Sequence, residues 1–162
     1  MILDLGCGCH KESRASNVVG IDHFAFPDVD IVRDLRRGLP FSDGTVEAVI
    51  ARHILEHFDG EDLIFIVEEV WRVCMAGAKV YIEVPGTGSP NCGKDFTHKK
   101  KDWDQWSFQM WEKHSVENQT GNDQQEYLIE RGPLYGIRGE FGVSYQFNPG
   151  THNAHYELRV IK

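Results

Sequence analysis

The feature that most constrains this chain lies at its start, where Ile2-Leu3-Asp4-Leu5 reads as a short apolar strand running straight into Gly6-Cys7-Gly8. Glycines at a strand end let a ligand approach bare backbone, and an open α/β sheet binds its ligands at the carboxyl ends of its strands. A second apolar run, Asn17-Val18-Val19-Gly20-Ile21, ends in Asp22, fourteen residues after Gly8. A carboxylate at that point can accept hydrogen bonds from both hydroxyls of a ribose. Strand, glycine turn, strand and acid make a nucleoside-binding layout, although the same glycines also serve as a plain turn.

A dinucleotide site needs more: a third glycine and a helix whose N-terminus holds the pyrophosphate. Here Gly8 is followed by Cys9-His10-Lys11-Glu12-Ser13-Arg14. The third glycine is missing, and the nine residues between Gly8 and Val18 are too few for a full crossover helix with its turns. That disfavours a nicotinamide-dependent oxidoreductase. It suits a ligand with a ribose and a small zwitterion.

Length and charge narrow the class further. The 162 residues read as one domain, 1–162, with room for a hydrophobic core. A net charge of -8 disfavours non-specific binding to nucleic acid or to an anionic membrane. No apolar run is long enough to span a membrane and no signal peptide is evident, so the expected location is cytoplasmic. Met1 leads directly into the first strand, which predicts a minimal N-terminus. The four cysteines, Cys7, Cys9, Cys74 and Cys92, do not form a disulfide framework. Cys7-Gly8-Cys9-His10 is spaced too tightly for the usual zinc pair, and His152 and His155 fall in a hairpin pattern without acidic or cysteine company, so no metal is expected.

Further elements follow from pattern. Val29–Val32 reads as a third strand, and Leu39-Pro40-Phe41-Ser42-Asp43-Gly44 as a turn. Val46–Ala51 is apolar enough for a strand buried on both faces. A helix is expected from an N-cap at Asp59, with Leu63, Ile64, Val67, Val70, Trp71 and Cys74 on its apolar stripe and Gly77 in a left-handed cap. Lys79–Val84 is the next strand. Residues 86–102 look irregular, 103–113 suggest a short aromatic helix, and 127–130, 145–147 and 156–161 are strand candidates, the last pairing antiparallel.

Taken together, Leu3-Asp4-Leu5-Gly6-Cys7-Gly8, Gly20-Ile21-Asp22, Leu39-Pro40-Phe41-Ser42-Asp43-Gly44, His53-Ile54-Leu55-Glu56-His57 and Glu69-Val70-Trp71-Arg72-Val73 resemble the class I S-adenosylmethionine-dependent methyltransferases. The likeness is to their small branch with a shortened first crossover, where Asp95-Phe96-Thr97-His98-Lys99 also has a counterpart. It spans about residues 2–113. Met75-Ala76-Gly77-Ala78 departs from the family's Lys-Pro-Gly-Gly, and the aromatic stretch Trp103–Trp111 is heavier than usual. The resemblance implies an α/β fold with a Rossmann-like, mostly parallel sheet ending in an antiparallel strand, and a long loop or lid at about 86–116.

The resemblance also implies roles for matching positions. Gly6, Cys7 and Gly8 would lie against the methionine part of S-adenosyl-L-methionine, with Asp4 holding the glycine turn or the amino group. Asp22 would bind the ribose hydroxyls, and Asp34 and Leu35 would border the adenine. Arg52 and His53 would flank the methionine and sulfonium. The chemistry then asks mainly for positioning and desolvation, with a general base for some acceptors. His57 and His98 are the candidates, and a structural role is the competing reading for His57, a solvated one for His98. Lys99-Lys100-Lys101 beside Trp103 and Trp106 reads either as a solvated run or as a phosphate contact. The expected partner is a small-molecule acceptor (a sugar, nucleotide or other metabolite), with nucleic acid and membrane disfavoured. A homodimer through the thinly covered sheet face is a further expectation. The alternative function is a cofactor-binding regulatory or interaction module without catalysis.

Overall fold

A computed structural model describes residues 1–13, 15–112 and 132–162. Seven strands form one sheet: β1 (Ile2–Leu5), β2 (Val18–Asp22), β3 (Ile31–Val32), β4 (Val46–Arg52), β5 (Cys74–Pro85), β6 (Glu140–Asn148) and β7 (Asn153–Ile161). Their order is β3-β2-β1-β4-β5-β7-β6. The strands from β1 to β5 pair in parallel, and β7 runs antiparallel to both β5 and β6. The antiparallel strand therefore lies one place in from the edge, and the edge strand β6 points the same way as β1–β5.

Register brings strand ends together. Leu5 is level with Ile21 on one side and Ala51 on the other. Gly6, Asp22 and Arg52 follow immediately, at one edge of the sheet. From β1 the chain goes to β2 on one side, while β4 lies on the other, so the order reverses between β1 and β4. A crevice opens at such a reversal. The segment between β1 and β2 contains no helix among the described residues, as the short spacing predicts.

One α-helix, α1 (Gly60–Val73), is present among the described residues. It buries Leu63, Ile66, Val67, Val70 and Val73, which join Leu5, Val49, Val80, Ile82 and Phe141 in the core. The buried stripe is rotated by about one residue from the expected one. Ile66 and Val73 take the places expected of Ile64 and Trp71, which stay partly exposed at the flank. Trp71 instead donates its indole N–H to the Ile161 carbonyl at 3.0 Å. Asp59 occupies the N-cap position without a side-chain cap bond.

Gly77 does not end this helix. The helix stops at Val73, and Cys74 is already extended and level with Val46. The next pair in register is Ala48 with Lys79, so Met75–Ala78 bulge out of β5, and Gly77 supplies the positive φ of 79° that the bulge requires. At the end of α1, Arg72 ties down the preceding loop. Its guanidinium donates to Glu69 and Asp43 and to the carbonyls of Leu39 and Phe41. The Leu39–Gly44 turn is thereby held against the helix.

The expected aromatic helix at 103–113 is also corrected. Only Gln109–Trp111 forms a 3₁₀ turn, and residue 113 lies outside the described residues. Asp104 and Ser107 satisfy nearby backbone N–H groups with their side chains, at 2.9 Å to Trp106 and 3.0 Å to Asp104, and such local bonds compete with helix formation. Trp103, Phe108 and Trp111 are buried; Trp103 and Phe108 pack against Tyr156 of β7, and Trp111 against Phe108. The strand candidate at 127–130 lies outside the described residues. Residues 145–147 and 156–161 fall within β6 and β7, whose hairpin turn carries His152.

Candidate active site

A cavity of about 790 Å³ opens at the carboxyl ends of β1, β2 and β4, a size that suits a nucleoside-sized ligand. Gly6, Asp22, Leu35 and Ile54 line it, with Phe24 and Phe58 adding apolar wall. Gly6 has φ +66°, and a Cβ there would come within 2.5 Å of the Ile54 side chain. Gly8 has φ +57° with open space beside it.

Asp22 is the hinge of this arrangement. Its side chain is buried. One carboxylate oxygen accepts from the Gly8 N–H and the other from the Phe24 N–H, each at 3.0 Å. The glycine turn and the acid thus fix one another. Oδ2, which accepts from Gly8, keeps a further lone pair for a ligand hydroxyl, while Oδ1 also has His23 Nδ1 at 3.2 Å. Asp4 works behind the turn: buried, it accepts from the Glu12 N–H at 2.6 Å and does not line the cavity. Burial pushes its carboxyl above the usual range, against the pull of Arg52 and Lys11. Cys7 is buried as well, its thiol packed towards Gly20, where a Cβ would come within 2.8 Å. Burial, then Asp4 and Asp22, push that thiol to about 11, so it packs as an apolar group.

Asp34 and Leu35 line the cavity beyond β3. The Asp34 carboxylate is held by Arg36, with guanidinium contacts of 2.6–3.1 Å and a 3.0 Å bond from the Arg36 backbone N–H. The hydrogen bond from Arg36 lowers the carboxyl to about 2. Leu35 is buried beside it.

Arg52 and His53 part company. Arg52 pairs with Glu12 and lines a separate hollow of about 540 Å³, along with Tyr81 and Tyr156. His53 turns into the main cavity with an unusual φ of 52°. Its Nδ1 is 3.4 Å from Glu56 Oε1, and its Nε2 is 3.6 Å from Glu83 Oε1. The Glu56 carboxylate above all, then Glu83, raises its pKa against burial and Arg52.

The two other histidines meet across the mouth. The rings of His57 and His98 lie 5.0 Å apart, edge to face. Thr97 orients the first of them. Its hydroxyl donates to Asp95 Oδ1 at 2.5 Å and lies 3.0 Å from His57 Nδ1. Since the hydroxyl proton is committed to Asp95, the Nδ1–H of His57 is the donor, and Nε2 keeps its lone pair. A second hollow of about 670 Å³, lined by Glu56, Asp95 and His98, adjoins the first across His53, His57 and Phe96. Lys99 reaches the main cavity, whereas Lys100 pairs with Asp102 and sits 5.0 Å over the Trp103 ring.

The residues that sequence reasoning missed are Glu56, Asp95 and Thr97 as parts of this mouth, together with the wall residues Phe24, Ile54 and Phe58. A carboxylate flanked by histidines in His53-Ile54-Leu55-Glu56-His57 was the available signal for Glu56.

Residues 3–82 match the family described as "Methyltransferase domain". No curated protein sequence matches the chain. Among solved structures, an S-adenosylmethionine-dependent methyltransferase from Archaeoglobus fulgidus aligns with TM-score 0.59 and 16% identity, covering 98% of this chain and 85% of that one. The Burkholderia thailandensis 1,6-didemethyltoxoflavin-N1-methyltransferase, solved with its substrate and S-adenosylhomocysteine, aligns with TM-score 0.63 and 9% identity, covering 99% and 71%. At these identities the likeness is one of fold. No helix among the described residues is long and apolar enough to cross a membrane.

Proposed function

We propose that this chain is a class I S-adenosylmethionine-dependent methyltransferase that transfers a methyl group to a small acceptor bound at the mouth between His57 and His98, a reading supported by the methyltransferase-domain match over residues 3–82 and by the fold. The observation that carries this reading is the Asp22 carboxylate, buried at the end of β2 and locked to the Gly8 turn at 3.0 Å.

The residues fit the cofactor. The cavity has apolar walls for an adenine in Leu35 and Phe58, an oriented carboxylate for a ribose in Asp22, and side-chain-free backbone at Gly6 for the amino-acid end. Asp34 borders the adenine region with its carboxylate already engaged by Arg36, so Leu35 and the backbone are the more available contacts there. S-adenosylmethionine supplies, when bound, a methyl group already activated on a sulfonium. The protein's share is then orientation and exclusion of water. His57, with its Nε2 lone pair free, and His98 are placed to activate a hydroxyl or amine on the acceptor. The net charge of -8 favours a metabolite over a long nucleic acid.

Incubation with methyl-labelled cofactor and a mixture of sugars, nucleotides and other metabolites tests this. Label transfer to a small molecule, lost in His57→Gln and His98→Gln while cofactor binding persists, is the expected outcome. Cofactor binding without transfer to any acceptor favours the regulatory module instead.

A further inference from the structure

Glu56 is 1% exposed, and neither of its carboxylate oxygens has a hydrogen-bond partner. A buried carboxylate left in that state is costly and calls for a compensating cation. The groups around it are of one kind. Ligand atoms of Glu56, His57 and His98 lie within 4.8 Å of one another. His98 Nε2 is 3.9 Å from Glu56 Oε1, and His98 Nδ1 is buried without a partner. His53 is the nearest competing cation, 3.4 Å from Oε1, but its side chain is half exposed and it faces only that one oxygen, leaving Oε2 without a partner.

We propose that Glu56, His57 and His98 bind a divalent transition-metal ion of the zinc type. Two imidazoles and a carboxylate suit a borderline ion over magnesium or calcium, which prefer all-oxygen shells. His57 is already held in a ligating orientation. The hydrogen bond between His57 Nδ1–H and Thr97, itself bonded to Asp95, holds the ring and leaves Nε2 as the ligand atom. Asp95 Oδ2, 3.7 Å from His98 Nε2, stands beside the second imidazole. In a tetrahedral shell with bonds of about 2.0–2.2 Å the ligand atoms lie about 3.3–3.6 Å apart, so side chains whose ligand atoms now lie within 4.8 Å of one another close by a little over about 1 Å at their widest pair when the ion binds.

Three protein ligands leave a coordination position open, which is the pattern of catalytic zinc sites. This one faces the hollow that adjoins the main cavity. Resting on the methyltransferase reading, the open position assigns the acceptor a coordinating oxygen or nitrogen close to where the methyl group would be presented, and with the ion bound it is the ion, in place of the His57 and His98 lone pairs, that activates that atom. The site departs from the sequence expectation of no metal because its ligands come from two segments, 56–57 and 98, about forty residues apart in the chain.

The test is metal stoichiometry of the full chain after chelator treatment and dialysis against Zn²⁺, with S-adenosylhomocysteine binding measured on the same samples. The expected result is one Zn²⁺ per chain, an affinity at least tenfold weaker in Glu56→Gln and in His98→Gln, and no change in Cys7→Ser/Cys9→Ser. Co²⁺ in place of Zn²⁺ should give visible absorption of a four- or five-coordinate ion, lost in the same two variants. Circular dichroism identifies any variant that does not fold, and His57→Gln then replaces it. Stoichiometry below one-tenth, or Zn²⁺ binding as in wild type by Glu56→Gln and His98→Gln, overturns the proposal. A protein that binds S-adenosylhomocysteine but takes up no Zn²⁺ would overturn the metal site alone. Zn²⁺ binding without S-adenosylhomocysteine would leave the metal site standing and remove the cofactor reading.

Discussion

Asp22→Ala should weaken S-adenosylhomocysteine binding by about 2–4 kcal/mol, since two hydrogen bonds to a charged group are lost at about 1.5–3 kcal/mol each with partial replacement by water. That corresponds to roughly thirty- to several-hundredfold in Kd. The substitution acts twice. It removes the ribose acceptor, and it strips the Gly8 and Phe24 N–H groups of their partner. The second effect loosens the turn itself and should lower stability by about 1–3 kcal/mol, the desolvation cost of buried donors left unpaired. Asp22→Asn separates the two, because an amide oxygen can still accept from one of the backbone groups while the charge is gone. Its affinity should fall between wild type and Asp22→Ala. Calorimetry at a temperature where all three are folded checks the order. Equal affinities within twofold would remove Asp22 from the site.

The largest effect on stability is expected at Trp103. Its side chain is 1% exposed and packs against Phe108 at 5.8 Å and Tyr156 at 6.3 Å between ring centroids. Its indole N–H donates to the Lys100 carbonyl at 3.2 Å. Its own carbonyl accepts from the Thr87 N–H and hydroxyl. The residue therefore fastens the irregular segment after β5 to β7. Truncation to alanine should cost about 3–5 kcal/mol, a large share of the roughly 5–15 kcal/mol that holds a domain folded. Because the same segment supplies Thr97 and His98, Trp103→Ala should also loosen the mouth of the site. Denaturant unfolding measures the loss, and a change below about 1 kcal/mol would show that Trp103 does not anchor the segment.

The half of the site nearest β1 was legible in the sequence because its signals are local. Gly6-Cys7-Gly8 and Asp22 each stand at the end of an apolar run, and parallel pairing places both ends at the same level. The mouth was less so. Glu56 is buried by a segment some forty residues on, where the Lys99 and Lys100 N–H groups bond to its carbonyl, and no local pattern announces that contact. The resemblance grouped Arg52 with His53, but β4 ends at Arg52 and the chain leaves the strand at His53 with a φ of 52°, which turns the two side chains into different hollows. The short aromatic helix expected at 103–113 gives way to turns because the Asp104 and Ser107 side chains accept from backbone N–H groups of their own segment.

The central claim is that the cavity beside Gly6 and Asp22 binds S-adenosylmethionine. Calorimetric titration of the wild-type chain with S-adenosylhomocysteine, alongside NADH, tests it most directly. The account predicts one-to-one micromolar binding of S-adenosylhomocysteine and no heat from NADH. A folded protein that ignores S-adenosylhomocysteine, or that binds NADH more tightly, would contradict it.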